Sequence, residues 1–178
     1  GQIYEAALKP LLIIAGKEKI LVETGIGELP EAHKQFHTIK RKPEQALKAQ
    51  LQKHGTKPED ITMVVNTHLH FDHCGNNALF QNAKFYVQAE ELRYAYAPDR
   101  FQKAAYVREF FDANLDYVTV HGKYQLTDDI ILVPTPGHSI GHQSVLIKGE
   151  EKNYVYCGDA APLRENLEKR NIPGVLYR

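Results

Sequence analysis

The sequence predicts β-sheets layered on one another and covered by helices, an α+β architecture and not a helical bundle. Three observations carry this. Short apolar, β-branched runs outnumber helical stretches, and the helical stretches fall between groups of those runs. The composition, 43% hydrophobic and 25% charged, is that of an ordinary globular protein. At 178 residues and 20.2 kDa the chain, 1–178, has the length of one domain.

Leu11–Ala15 and Lys19–Glu23 are apolar runs joined by a Gly16-centred turn, which reads as a β-hairpin that Thr24-Gly25-Ile26-Gly27 ends. Residues 28–42 are polar and irregular. Pro43 opens a helix through about His54, with Ala46, Leu47, Gln50 and Leu51 along one side and Gly55 as its stop. Pro58-Glu59-Asp60 is a turn before the buried strand Ile61–Val65. A histidine-rich loop occupies 67–77. Lys84–Gln88 is a short strand and Ala89–Tyr96 a short helix that Pro98 breaks. Arg100–Phe111 reads as a further helix with Ala104, Val107, Phe110 and Phe111 on its buried side. Four strands complete the list: Tyr117–Val120, Ile130–Val133, Ser144–Ile147 and Asn153–Cys157.

Charge and cysteine content exclude several functions. Lys+Arg and Asp+Glu number 22 each, so the net charge is zero and a polyanion-binding role is disfavoured. The absence of an apolar run near the roughly 18 residues of a membrane span argues against a membrane protein. Cys74 and Cys157 cannot form a disulfide framework, which fits a reducing, cytoplasmic location.

The nine histidines are unusual, and their placement points to a metal. Thr67-His68-Leu69-His70-Phe71-Asp72-His73 packs imidazoles and a carboxylate directly behind a buried strand. These are ligands that borderline cations such as Zn²⁺ prefer. In an extended stretch His68 and His70 point the same way and can grip one ion, while Asp72 and His73 lie where the loop turns, facing a second. Val133-Pro134-Thr135-Pro136-Gly137-His138 ends a strand in a rigid turn that aims His138 at a fixed point. Cys157-Gly158-Asp159 sets Asp159 just past another strand, with Gly158 leaving room for close approach.

In order and approximate spacing, Thr67–His73, Thr135-Pro136-Gly137-His138 and Gly158-Asp159 resemble the metallo-β-lactamase superfamily. Leu21-Val22-Glu23-Thr24-Gly25 is similar to its second-strand signature, which more often carries Asp where Glu23 stands. His70–His73 and Thr135–Ser144 look like the N-acyl homoserine lactonase branch. The resemblance implies a four-layer αββα sandwich with a dinuclear zinc site at one edge (iron, manganese and cobalt being the other divalent choices). His68, His70 and His138 would hold the first metal, Asp72 and His73 the second, and Asp159 would bridge them. Asp72 would also act as the catalytic residue, holding the attacking water. His142 would be structural, and Cys74 is read as packing.

The implied activity is metal-dependent hydrolysis of an ester or lactone, with a small acyl compound as partner and no nucleic acid or membrane. The alternatives are a thioesterase like glyoxalase II and a non-catalytic metal-binding member of the fold. Three residues after the implied bridge, where the lactonases usually carry tyrosine, stands Pro162. The family's seventh ligand is a C-terminal histidine, and no histidine follows His142. The chain is therefore expected to be incomplete at its C-terminus, to hold its second ion weakly, and to expose an apolar sheet face that favours oligomers. His33, His37, His54 and His121 are expected to be solvated.

Overall fold

The computed structural model describes residues 7–35 and 37–170. Strands β1 (Leu11–Ala15) and β2 (Glu18–Val22) form the expected antiparallel hairpin, with Gly16 at φ +61° in the turn. Strands β3 (Met63–Val65), β4 (Lys84–Gln88) and β5 (Asp116–Val120) then add in parallel, giving a sheet ordered β1-β2-β3-β4-β5. Parallel neighbours need long crossovers. These carry α1 (Glu31–Lys34) and α2 (Leu47–Lys53), then α3 (Phe71–Cys74), then α4 (Ala89–Tyr96) and α5 (Arg108–Phe111). A second sheet of β6 (Tyr124–Gln125), β7 (Ile130–Pro134), β8 (Gln143–Lys148) and β9 (Asn153–Tyr156) is antiparallel throughout, and α6 (Arg164–Glu168) follows it. No helix among the described residues is long and apolar enough to cross a membrane.

The period of two along each strand divides the side chains between two cores. Ile20, Val22, Val65 and Val120 of the first sheet pack against Ile130, Leu132 and Val145 of the second. Burying each such side chain contributes about 1.5–3 kcal/mol. On the outer face of the first sheet, Leu21, Val64 and Phe85 meet Leu51 of α2 and Phe80, while Val87 meets Ala95 of α4 and Phe111 of α5. On the other side of the molecule, Val155 of β9 is 57% exposed.

Two expectations are corrected and one element is added. The helix over 43–54 is two pieces, a 3₁₀ turn at Pro43–Gln45 and then α2, with Ala46 extended between them. The Gln45 side chain accepts from Lys42 N–H at 2.8 Å and closes the first turn on itself. The helix over 100–111 is likewise a 3₁₀ turn at Lys103–Ala105 followed by α5, and Ala104 is exposed. Tyr106 and Val107 between them are extended, which turns the Tyr106 ring inward beside His70. Strand β6 was not anticipated, because two residues are too few for a period to register. In the sequence Ile172–Arg178 reads as a strand or loop and Gly1 stands close to the first strand; both lie outside the described residues.

Candidate metal centre

The candidate donors follow the C-terminal ends of strands. His68 and His70 come after β3, His138 after β7 and Asp159 after β9, so two sheets deliver them to one edge of the sandwich. The chain stays extended to His70 (φ −66°, ψ 152°), then winds into the single turn of α3 that carries Asp72 and His73. Phe71 points away toward His37, with ring centroids 4.8 Å apart.

The structure brings five of the six predicted residues into two overlapping groups, with Asp72 beside them. Ligand atoms of His68, His70 and His138 lie within 4.8 Å of one another, and so do those of His68, His73 and Asp159. His138 Nε2 is 3.0 Å from His70 Nδ1. The two Asp159 oxygens divide between the groups, Oδ1 standing 3.4 Å from His73 Nε2 and Oδ2 3.3 Å from His138 Nε2. Asp72 is peripheral, its Oδ2 3.7 Å from His73 Nε2 and its side chain 31% exposed. The remaining candidates scatter: His37, His54 and His121 are exposed, whereas His33, half-buried, bonds Ala104 O at 3.0 Å through Nε2. That bond corrects the expectation of a solvated His33.

The residues present suit a divalent cation. His68 Nε2 and His70 Nε2 are buried and meet no hydrogen-bond partner among the described residues. An unsatisfied buried polar group costs about 1–3 kcal/mol, which a cation would relieve. Burial, and then the neighbouring imidazoles, hold His68 and His70 well below the usual imidazole range, so both keep free lone pairs at neutral pH. Asp159 is pulled down to about 2, its burial outweighed by the hydrogen bond and charge of His73 and by His138. It is therefore ionised.

A second ring of side chains orients these donors. Glu23, buried at φ +67°, accepts Thr67 N–H on Oε1 at 2.6 Å and faces His73 Nδ1 with Oε2 at 3.0 Å. Burial alone would depress His73, but Glu23, Asp159 and Asp72 prevail and raise it well above its ordinary value. A cation at Nε2 would take the place of that second proton while Glu23 kept Nδ1–H. Thr67 Oγ1 lies 2.9 Å from His68 Nδ1. His142 is wholly buried and accepts Asp159 N–H on Nε2 at 3.2 Å. Its Nδ1 must then carry the proton, donated to Thr135 Oγ1 at 2.8 Å. Burial holds His142 down at about 3, which keeps it a neutral acceptor. Gly158, at φ +52°, is required here: a Cβ would stand 2.8 Å from both His142 Nε2 and Thr67 Oγ1. Cys74 is buried with its thiol raised by burial, and it donates to Leu69 O, a packing role.

Sequence reasoning missed the support given by Glu23 and the whole of Glu91, a fully buried carboxylate on α4. Burial raises the Glu91 carboxyl, and bonds from Leu69 N–H, Ser139, Tyr106 and Gly141 N–H pull it back part of the way. In the sequence Ala89-Glu90-Glu91-Leu92 reads as an ordinary first helical turn, and nothing there marks one glutamate as internal.

The metallo-beta-lactamase superfamily model matches residues 11–177, nearly the whole described fold. The chain belongs to the metallo-beta-lactamase superfamily. Within that superfamily it is 38% identical over 119 residues to an N-acyl homoserine lactonase of Bacillus cereus, covering 66% of this chain and 46% of that protein. It is 37% identical over 134 residues to the N-acyl homoserine lactonase AttM of Agrobacterium fabrum, covering 68% of this chain and 49% of that one. The chain thus spans about half the length of the curated relatives it matches. A solved N-acyl homoserine lactone hydrolase, with N-hexanoyl-L-homoserine bound at its catalytic metal center, superposes with a TM-score of 0.79 at 30% identity. That match covers 93% of this chain and 68% of the other. The metallo-beta-lactamase fold thus accounts for the layered sheets and for metal donors at their edge.

Proposed function

We propose that this chain carries the hydrolytic site of a zinc-dependent enzyme that opens an ester or lactone, foremost an N-acyl homoserine lactone. In this reading His68, His70 and His138 would hold one ion and Asp72 and His73 a second, with Asp159 shared by the two. The observation that carries it is the pair of donor groups sharing His68, with one Asp159 oxygen turned to each side. The likeness to lactonases supports the substrate class. Bound divalent ions would supply a Lewis acid for the carbonyl and a water acidic enough to attack at neutral pH.

The chain's own residues do the rest. Glu23 holds His73 with its proton on Nδ1, leaving Nε2 for ligation. His142 fixes the Asp159 backbone, and Asp72, the partly exposed carboxylate, would accept a hydrogen bond from an entering water. Pro162 stands exposed where the lactonases usually carry tyrosine, which leaves a thioesterase using the same donors as the second reading. Metal quantitation on the purified chain, followed by rates on matched lactones, thioesters and phosphodiesters, tests both. One tightly held ion and a second, weaker one per chain, with lactone turnover, is the expected result. Fastest turnover of a phosphodiester, or no bound ion, would overturn the proposal.

A further inference from the structure

Glu91 lies outside the donor set, yet it touches both loops that present the three-histidine group. Its Oε1 accepts Leu69 N–H at 3.0 Å, between His68 and His70, and the Tyr106 hydroxyl at 3.0 Å. Its Oε2 accepts the Ser139 hydroxyl at 2.7 Å and Gly141 N–H at 3.1 Å, in the loop that carries His138. All four bonds are directed at a carboxylate with no measurable exposure, where charge-assisted bonds are strongest. The loop is pressed onto α4 at this point: a Cβ on Gly141 would stand 2.3 Å from Glu91 N. Tyr106 also sets its ring edge-on to His70, with centroids 4.8 Å apart, and Gln102 donates to His138 O at 2.9 Å.

A buried carboxylate is an expensive way to stabilise a helix. Three of its four donors, Leu69 N–H, the Ser139 hydroxyl and Gly141 N–H, come from two loops that share nothing except the histidines they carry. We propose that Glu91 is a positioning residue that clamps the 67–73 and 135–142 loops to α4 and so sets the spacing, and thereby the cation affinity, of His68, His70 and His138. The proposal rests on the reading of that trio as a cation site.

Glu91→Gln keeps size and shape but leaves one acceptor oxygen. Its NH₂ then opposes Gly141 N–H or Leu69 N–H, and one loop must shift. Competition of the whole chain against a chromophoric chelator for Zn²⁺ should show a 10- to 100-fold weaker first ion, the range seen when support of metal ligands is lost. With Co²⁺ alone as probe, the visible ligand-field bands should move. Ser139→Ala, which deletes one donor and leaves the carboxylate, should show a smaller loss in the same direction, and it serves if Glu91→Gln does not fold. Thermal unfolding of the metal-free variants separates affinity from stability. Variants that melt lower yet keep wild-type Zn²⁺ affinity and Co²⁺ bands would overturn the clamp while leaving the cation site standing. Failure of the wild-type chain to bind Zn²⁺ would overturn both.

Discussion

Replacing Glu23 by Gln should move a proton on His73. Thr67 N–H, 2.6 Å from Oε1, cannot change its role as donor, so the single amide oxygen must stay there. The NH₂ group then faces His73 Nδ1 at the 3.0 Å position, and Nδ1 must accept. The imidazole proton passes to Nε2, the nitrogen that faces Asp159 and Asp72, and a protonated Nε2 cannot ligate. The affinity for the second ion should fall about 10- to 100-fold, roughly 1.4–2.8 kcal/mol. The metal-free protein should also lose about 1.5–3 kcal/mol, the worth of a hydrogen bond to a charged group, since both side chains are under a tenth exposed. His73 is raised in the folded state, so this stabilisation is complete below its unfolded value of about 6.5 and is lost as pH rises through the folded value. Imidazole ¹⁵N spectra report the tautomer, and a two-step zinc titration reports the affinity. A variant that keeps Nδ1–H with an unchanged second ion would refute the reasoning.

Other outcomes follow from the same geometry. Asp159 titrates at about 2 against an ordinary 3.8, so the metal-free fold should hold its contribution above pH 3.8 and lose about 2 kcal/mol as pH falls toward 2. Asp159→Asn should flatten that part of an acid denaturation curve. His142→Leu strips the acceptor from Asp159 N–H and should cost about 1–3 kcal/mol with weakened zinc binding, whereas His142→Gln, with an acceptor near the Nε2 position, should recover part of both in chelator titrations. Gly158→Ala meets strain at φ +52° and close contact with His142 and Thr67, so its thermal midpoint should drop by the equivalent of about 1–3 kcal/mol.

Much of this molecule is legible in its sequence, for identifiable reasons. The hairpin at Leu11–Val22 and the strands around Val64, Phe85 and Val118 announce themselves because β-branched and aromatic runs of strand length have few other stable homes. The candidate donors His68 to His73 stand out because a local cluster of imidazoles and carboxylate has little other use. What escapes is set by contacts across the chain. Tyr106 breaks its expected helix because its hydroxyl finds Glu91, 15 positions away. Glu91 itself sits on a short helix whose pattern is the same whether its carboxylate faces water or the core. His33 bonds a carbonyl 71 positions distant, which no local pattern encodes.

The local grouping of His68, His70, Asp72 and His73 has a consequence for the unfolded chain. These donors sit within one short segment, whereas His138 joins His70 from 68 positions along the sequence and Asp159 from further still. An unfolded chain therefore retains a serviceable chelator of its own. Ligand binding stabilises a fold only by the difference between its native and denatured affinities. Zinc should raise the melting temperature by less than its native affinity alone implies. The increment that remains measures what the second sheet adds when it delivers His138 and Asp159, which makes the ion a thermodynamic probe of how firmly the second sheet docks on the first.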